Sequence, residues 1–205
     1  MEIVIFLLIL LFSAILHEIA HGSVAEYFGD DTARMAGRIT LNPISHIDPY
    51  FSILVPLLLF MSGSPVIFGA AKPVPVNFFN LRNPKRDMAL VSLAGPLTNF
   101  VLAICFAVPI RLGIISPSDP GFQFLLQAVL LNLVLGIFNL LPLPPLDGSK
   151  IFASLFSDAI MYKILAWERF GFLLIILFLY LGIINVALVP ILNIFSRILL
   201  GYPAI

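Results

Sequence analysis

Residues 3–21 read IVIFLLILLFSAILHEIAH, so that fourteen uncharged and almost wholly apolar residues, Ile3 to Leu16, run directly into His17-Glu18-Ile19-Ala20-His21. As a helix this run rises 1.5 Å per residue, which places His17 about 21 Å along the axis, inside a hydrocarbon core of about 30 Å. Charged side chains at such a depth cost about 2.5 to 3.5 kcal/mol on insertion scales, and they mark functional sites as a rule. Two histidines four residues apart project from one helical face and can bind one metal ion through their imidazole nitrogens; Glu18 between them reads as a general base. The alternative is a helix end whose polar residues merely meet headgroups. The depth of the pair argues against it. His46, the third histidine, lies beside Asp48 in a polar connection and is given no catalytic role. A secretory leader also carries an apolar run of this length, but here the leading Met1-Glu2 is acidic and no small-residue cleavage site follows, so the segment is expected to be retained.

The rest of the chain agrees with a membrane setting. Of 205 residues 60% are hydrophobic and 11% charged, with mean hydropathy +1.09, against about 25% charged in a soluble domain. Eleven basic and eleven acidic residues leave no net field to recruit nucleic acid. The single cysteine, Cys105, excludes an intrachain disulfide framework and a thiolate-rich metal site. The length accommodates about four to six spans and no separate soluble domain.

Uncharged stretches continue at 49–71, 88–110, 121–146 and 170–196. Pro56 and Ser62-Gly63-Ser64-Pro65 divide 49–71 into pieces too short to cross, which predicts a re-entrant hairpin. That hairpin keeps Arg34 and Arg38 on one side with Lys72, Arg82, Lys85 and Arg86, and nine of the eleven basic residues then share a side. The positive-inside rule makes that side cytoplasmic and puts the N-terminus outside. Gly182, Asn185 and Pro190 leave 168–200 as either one kinked helix or a pair. The stretches 37–41 and 72–77 alternate like extended segments, and Pro73 and Pro75 restrict the second to a sheet edge. The expected fold is an all-α polytopic membrane protein with about four to six transmembrane helices, a re-entrant hairpin and short membrane-associated β segments. A single membrane-embedded domain covers 1–205, with core motifs in 1–150.

A catalytic zinc held by two histidines takes a third protein ligand, often a carboxylate, and keeps a position open. Most acidic residues fall in or beside polar connections; Asp147 instead ends the uncharged stretch 121–146. Pro142, Pro144 and Pro145 break the helix before it, and irregular backbone at membrane depth is tolerated only inside protein or beside a wet cavity. By itself Asp147-Gly148 reads equally well as turn chemistry. Beside the histidine pair, the ligand reading is the stronger.

Taken in order, the His17-Glu18-x-x-His21 helix, Gly95-Pro96-Leu97-Thr98-Asn99 and the stretch from Asn139 to Gly148 resemble the motifs of the site-2 proteases, the intramembrane zinc metalloproteases. Thr40-Leu41-Asn42-Pro43 and the segment 71–77 are similar to those of small prokaryotic members without accessory domains. The resemblance covers residues 1 to about 150. It implies one zinc ion per chain bound by His17, His21 and Asp147, with Glu18 activating a zinc-bound water. Asn139, eight residues before Asp147, matches a family asparagine proposed to hold the substrate carbonyl or its oxyanion. Physical chemistry is consistent with these roles: zinc brings the pKa of bound water to about 7, a carboxylate can take its proton, and an amide donor at the oxyanion contributes about 3 kcal/mol. Read without the family, Asn139 is a polar side chain bonding neighbouring backbone, and Gly95, Pro96 and Asn99 form a close-packing helix surface.

The implied activity is hydrolysis of transmembrane or membrane-anchored protein substrates near the cytoplasmic face, by an enzyme resident in the lipid bilayer of a prokaryotic cell as a multi-pass protein. A substrate helix must unwind to expose its amides, and 72–77 or 37–41 could pair with it at an edge; a plain connection is an equal reading of both. Two other functions compete. A non-catalytic client-binding protein has no use for Glu18. A divalent metal transporter needs deep polar residues in other segments, and 170–196 supplies only Tyr180, Asn185, Asn193 and Ser196.

Overall fold

A computed structural model describes residues 2–49, 54, 58, 61 and 72–203. The expected re-entrant hairpin at 49–71 lies, apart from isolated positions, outside the described residues. The described chain is helical: α1 (Glu2–Tyr27), α2 (Thr32–Met35), α3 (Pro84–Arg111), α4 (Phe122–Asn139), α5 (Asp147–Ala153), α6 (Asp158–Leu165), α7 (Glu168–Tyr180) and α8 (Ile183–Leu200), with two short 3-10 turns at Pro43–His46 and Phe78–Asn80. Among the described residues four helices, α1, α3, α4 and α8, are long and apolar enough to cross a membrane.

Local chemistry sets the ends of these helices. Pro84 opens α3, where a missing N–H costs nothing, and the Asp87 carboxylate accepts the Asn83 N–H at 2.8 Å. Asn139 ends α4 three residues before Pro142. Gly182, at φ +71°, supplies the left-handed residue that separates α7 from α8, so the C-terminal region is a helix pair. At 13 residues α7 rises about 20 Å and falls short of a span. A side chain at Gly201 would meet the Arg111 guanidinium, so α3 and α8 end on the same side and Arg197, in the last turn of α8, joins Arg111 there.

Two apolar clusters hold the bundle. Ala103 and Ala107 of α3, Val129, Leu133 and Ile137 of α4 and Leu192 and Leu200 of α8 form one, with Phe100 and Phe195 stacked at 5.1 Å between ring centres. Ala25, Leu81, Met88, Val91, Ala153 and Met161 form the other. Facing away from these clusters, Leu7, Phe12, Val101, Ile104 and Ile198 are exposed, as a lipid-facing surface requires.

The expected β segments are corrected: among the described residues no strand occurs, and 37–41 and 72–77 run as bends and irregular extended chain. The reason is the destination of their hydrogen bonds. Pro73 and Pro75 have no N–H, and the N–H groups of Lys72, Val74 and Asn77 find partners outside any ladder. The Lys72 N–H meets the His46 carbonyl at 2.9 Å, the Val74 N–H meets Glu18 Oε2 at 2.7 Å and the Asn77 N–H meets Asp30 Oδ2 at 2.7 Å. Arg38 donates to the carbonyls of Lys72 at 2.7 Å and Pro73 at 3.3 Å. Residues 72–77 therefore form a strap tied to α1 and to the loop that follows it.

Asp30 anchors the far end of this strap. It is fully buried and also accepts from the Thr32 hydroxyl, the Thr32 N–H at 3.2 Å and the Asn80 amide at 2.8 Å. Burial pushes its carboxyl upward, but the hydrogen bonds from Thr32, Asn80 and Asn77 outweigh it and hold the group below the usual carboxylate value. A depressed folded-state value stabilises the fold above the unfolded pKa of about 3.9, and that stabilisation is lost as pH falls through the folded value. Asp30→Ala is expected to cost about 2 to 3 kcal/mol at pH 7 and to flatten the acid limb of the stability profile. Thermal melts in detergent between pH 3 and pH 7 check this; an unchanged melting temperature at pH 7 would refute it.

Candidate metal centre

On α1, Ser13, His17 and His21 recur every four residues and share one face. All three are buried where α3 crosses α1. Asp147 arrives from a different part of the chain. After α4 ends, the proline-broken turn makes internal bonds from the Leu143 N–H to the Leu141 carbonyl and from the Leu146 N–H to the Leu143 carbonyl, both at 2.8 Å, and Asp147 then opens α5. Gly148 permits this path, because any side chain there would overlap the carbonyls of Leu140 and Leu141. Gly171 of α7 packs in the same way against Pro144 and Pro145, bracing the turn from outside.

The three side chains converge. His17 Nε2 and His21 Nε2 lie 3.0 Å apart, and each lies 3.2 Å from Asp147 Oδ2. Among the described residues they form the group of histidine and carboxylate side chains able to hold a metal ion. A tetrahedral set with bonds of about 2.0 to 2.1 Å has edges of about 3.3 to 3.4 Å, close to those observed. The proton on His21 supports the same assignment. Its Nδ1 lies 2.7 Å from the Val91 carbonyl, which can only accept, so Nδ1 carries the proton and Nε2 turns a lone pair into the cluster. His17 Nδ1 faces the Asn99 side-chain oxygen at 2.6 Å. Lone-pair nitrogens gathered beside a carboxylate oxygen are satisfied by a cation. Gly95 keeps the adjoining space open, since a side chain there would overlap Nε2 of both histidines. The donor set and this cleared space fit zinc.

Glu18 lies on the neighbouring side of α1, half-buried, with Oε2 engaged by the Val74 N–H of the strap. One turn further on, Gly22 makes room for that approach: a side chain at 22 would come within 3.0 Å of Val74 Cγ1 and of Ala33 Cβ. Asn139 stands at the end of α4, half-buried. Its side-chain nitrogen donates to the Leu135 carbonyl of its own helix at 3.0 Å, the local backbone bond that a polar side chain makes in an apolar helix. His46 is a bracing residue, with Nε2 donating to the Thr40 carbonyl at 2.8 Å. Sequence reasoning treated Gly95 and Asn99 as packing positions, whereas both touch the histidine pair. Their spacing of four residues on α3, the same as that of His17 and His21 on α1, was the available signal.

The profile of Peptidase family M50 matches residues 5–114 and 118–181. The chain is 38% identical over 194 residues to the "Putative zinc metalloprotease YwhC" of Bacillus subtilis (strain 168), across 90% of this chain and 84% of that protein. It is 28% identical over 180 residues to the "Putative zinc metalloprotease Rip2" of Mycolicibacterium smegmatis, across 85% of this chain and 66% of the relative. It is 29% identical over 157 residues to the "Zinc metalloprotease MJ0392" of Methanocaldococcus jannaschii, across 76% of this chain and 36% of the relative. No solved structure matches the chain. Since a methyl group at position 95 competes with a metal for the space beside the two nitrogens, Gly95→Ala is expected to weaken zinc binding by roughly ten-fold or more while leaving helicity intact. Chelator competition with circular dichroism as the control measures this, and wild-type affinity in the variant would overturn it.

Proposed function

Because this chain belongs to Peptidase family M50, we propose that it is an intramembrane zinc metalloprotease that cleaves transmembrane or membrane-anchored proteins near the cytoplasmic face. His17, His21 and Asp147 are its metal ligands and Glu18 is its base. The observation that carries this reading is the convergence of two imidazole nitrogens and a carboxylate oxygen within 3.2 Å in the buried interior, with Glu18 adjacent in sequence.

Zinc, when bound, polarises the scissile carbonyl and acidifies water. The chain's own groups do the rest. Glu18 takes a proton from the attacking water and passes it to the leaving nitrogen, so that one C–O bond forms as the C–N bond breaks. The Val74 N–H holds one Glu18 oxygen and thereby orients the other for the proton. Asn139 exchanges its bond to the Leu135 carbonyl for the substrate carbonyl, where an amide donor opposes developing negative charge. The substrate enters unwound, because helical amides are bonded internally and shielded. The enzyme sits in the cell membrane with its N-terminus outside, as the distribution of basic residues supports.

The test is zinc content together with cleavage of a model membrane substrate by detergent-purified protein. Wild type and Glu18→Gln should each carry about one equivalent of zinc, with cleavage reduced roughly 100-fold or more in the variant. His17→Ala should lose both zinc and cleavage. Absence of zinc from folded wild type, or cleavage by Glu18→Gln at the wild-type rate, would overturn the proposal.

A further inference from the structure

Beyond the three converging side chains, three buried polar groups from α1, α3 and α4 form a single hydrogen-bonded chain. Asn99 of α3 and Asn132 of α4 are both fully buried, and Ser13 of α1 is 3% exposed. Such groups are costly in a membrane interior unless every hydrogen bond is made, and a function usually accounts for them. The bonds run in one direction. Asn132 Nδ2 lies 2.9 Å from the Ala128 carbonyl and 2.9 Å from Ser13 Oγ, and Asn99 Nδ2 lies 3.0 Å from Asn132 Oδ1. Asn99 Oδ1 faces His17 Nδ1.

The Ala128 carbonyl determines the direction of the whole chain. It can only accept, so the Asn132 atom facing it is the NH2 group, and the Asn132 oxygen must point at Asn99. Asn99 then turns its own NH2 to that oxygen and presents an oxygen to His17. Facing an acceptor, His17 keeps its proton on Nδ1 and turns the Nε2 lone pair toward His21 and Asp147. Reversing Asn99 would set NH2 against NH-bearing Nδ1 or drive the proton to Nε2, where it would fill the position a metal needs. His21 receives the same instruction directly from a backbone carbonyl, that of Val91. His17 has no such carbonyl and receives it through two side chains.

We infer that Asn99 and Asn132 are positioning residues that hold His17 in the Nδ1–H tautomer and so prepare it as a metal ligand. The inference rests on the reading of His17 as a zinc ligand. It assigns a role to an asparagine of α4 that touches neither metal ligand nor substrate, and it explains why a polar amide stands in the buried core of an apolar helix.

Two measurements test it. In metal-free protein labelled with 15N-histidine, the ring signal absent from His17→Ala identifies His17. That signal should report protonated Nδ1 in wild type and a mixture of tautomers in Asn132→Leu, whose loss frees the Asn99 amide to turn over. Zinc affinity by chelator competition should fall about 10- to 100-fold in Asn99→Leu and stay within a few-fold of wild type in Asn99→Asp, which retains the acceptor; a cobalt-loaded sample should show the altered visible spectrum in Asn99→Leu alone. Unchanged tautomer in Asn132→Leu, or equal losses in Asn99→Leu and Asn99→Asp, would overturn the inference while leaving the metalloprotease standing. Wild-type zinc affinity in His17→Ala would instead remove the ligand on which both depend.

Discussion

Two imidazole nitrogens and a carboxylate oxygen face one another at 3.0 to 3.2 Å inside the bundle, and most of the surrounding architecture exists to keep them there. All three are buried, and each is held from behind. The Val91 carbonyl holds His21 and Asn99 holds His17. The glycine at 95 lets α3 approach α1 closely enough for both supports to reach. Asp147 is fixed by backbone geometry: a proline-broken turn delivers it, Gly148 lets the chain double back and α7 closes over the outside.

A second constraint acts at the end of α1. Glu18 shares the helix with the histidines but faces the strap, where the Val74 N–H bonds to it. Arg38 grips the carbonyls just before Val74, and Asp30 holds the N–H of Asn77. A segment with prolines at 73 and 75 has few donors, and those of Val74 and Asn77 are committed to side chains of α1 and the following loop while that of Lys72 meets the His46 carbonyl. The strap is thus positioned by side-chain contacts and one backbone bond to His46, without a neighbouring strand. This is why an alternating pattern that resembles a sheet edge runs here as extended chain without a ladder.

The membrane character, the apolar stretches that form α1, α3 and α4, and the histidine pair were legible from residues close together in sequence. An uncharged run of sufficient length has few destinations, and a four-residue spacing puts two histidines on one face whatever surrounds them. Asp147 was legible with less force, because its meaning depends on a partner far away along the chain. The divide at Gly182 was visible only as an ambiguity between one kinked helix and two. Asn132 could not have been found, since one amide in an apolar helix has no meaning until its neighbours are known. Asn99 looked like a packing residue because a small-residue surface and a ligand support share the same four-residue spacing.

Local spacing and hydropathy along the chain therefore determined the kind of protein this is and that two histidines share one face able to bind a metal, because those properties depend on neighbours within a few residues. Tertiary structure alone decided that the Asp147 carboxylate meets the histidine pair, which nitrogen of each histidine bears the proton and what holds Glu18. Each of those depends on a hydrogen-bond partner brought from another helix or loop, up to 126 residues away in the case of His21 and Asp147, and no local pattern encodes the direction from which that partner arrives.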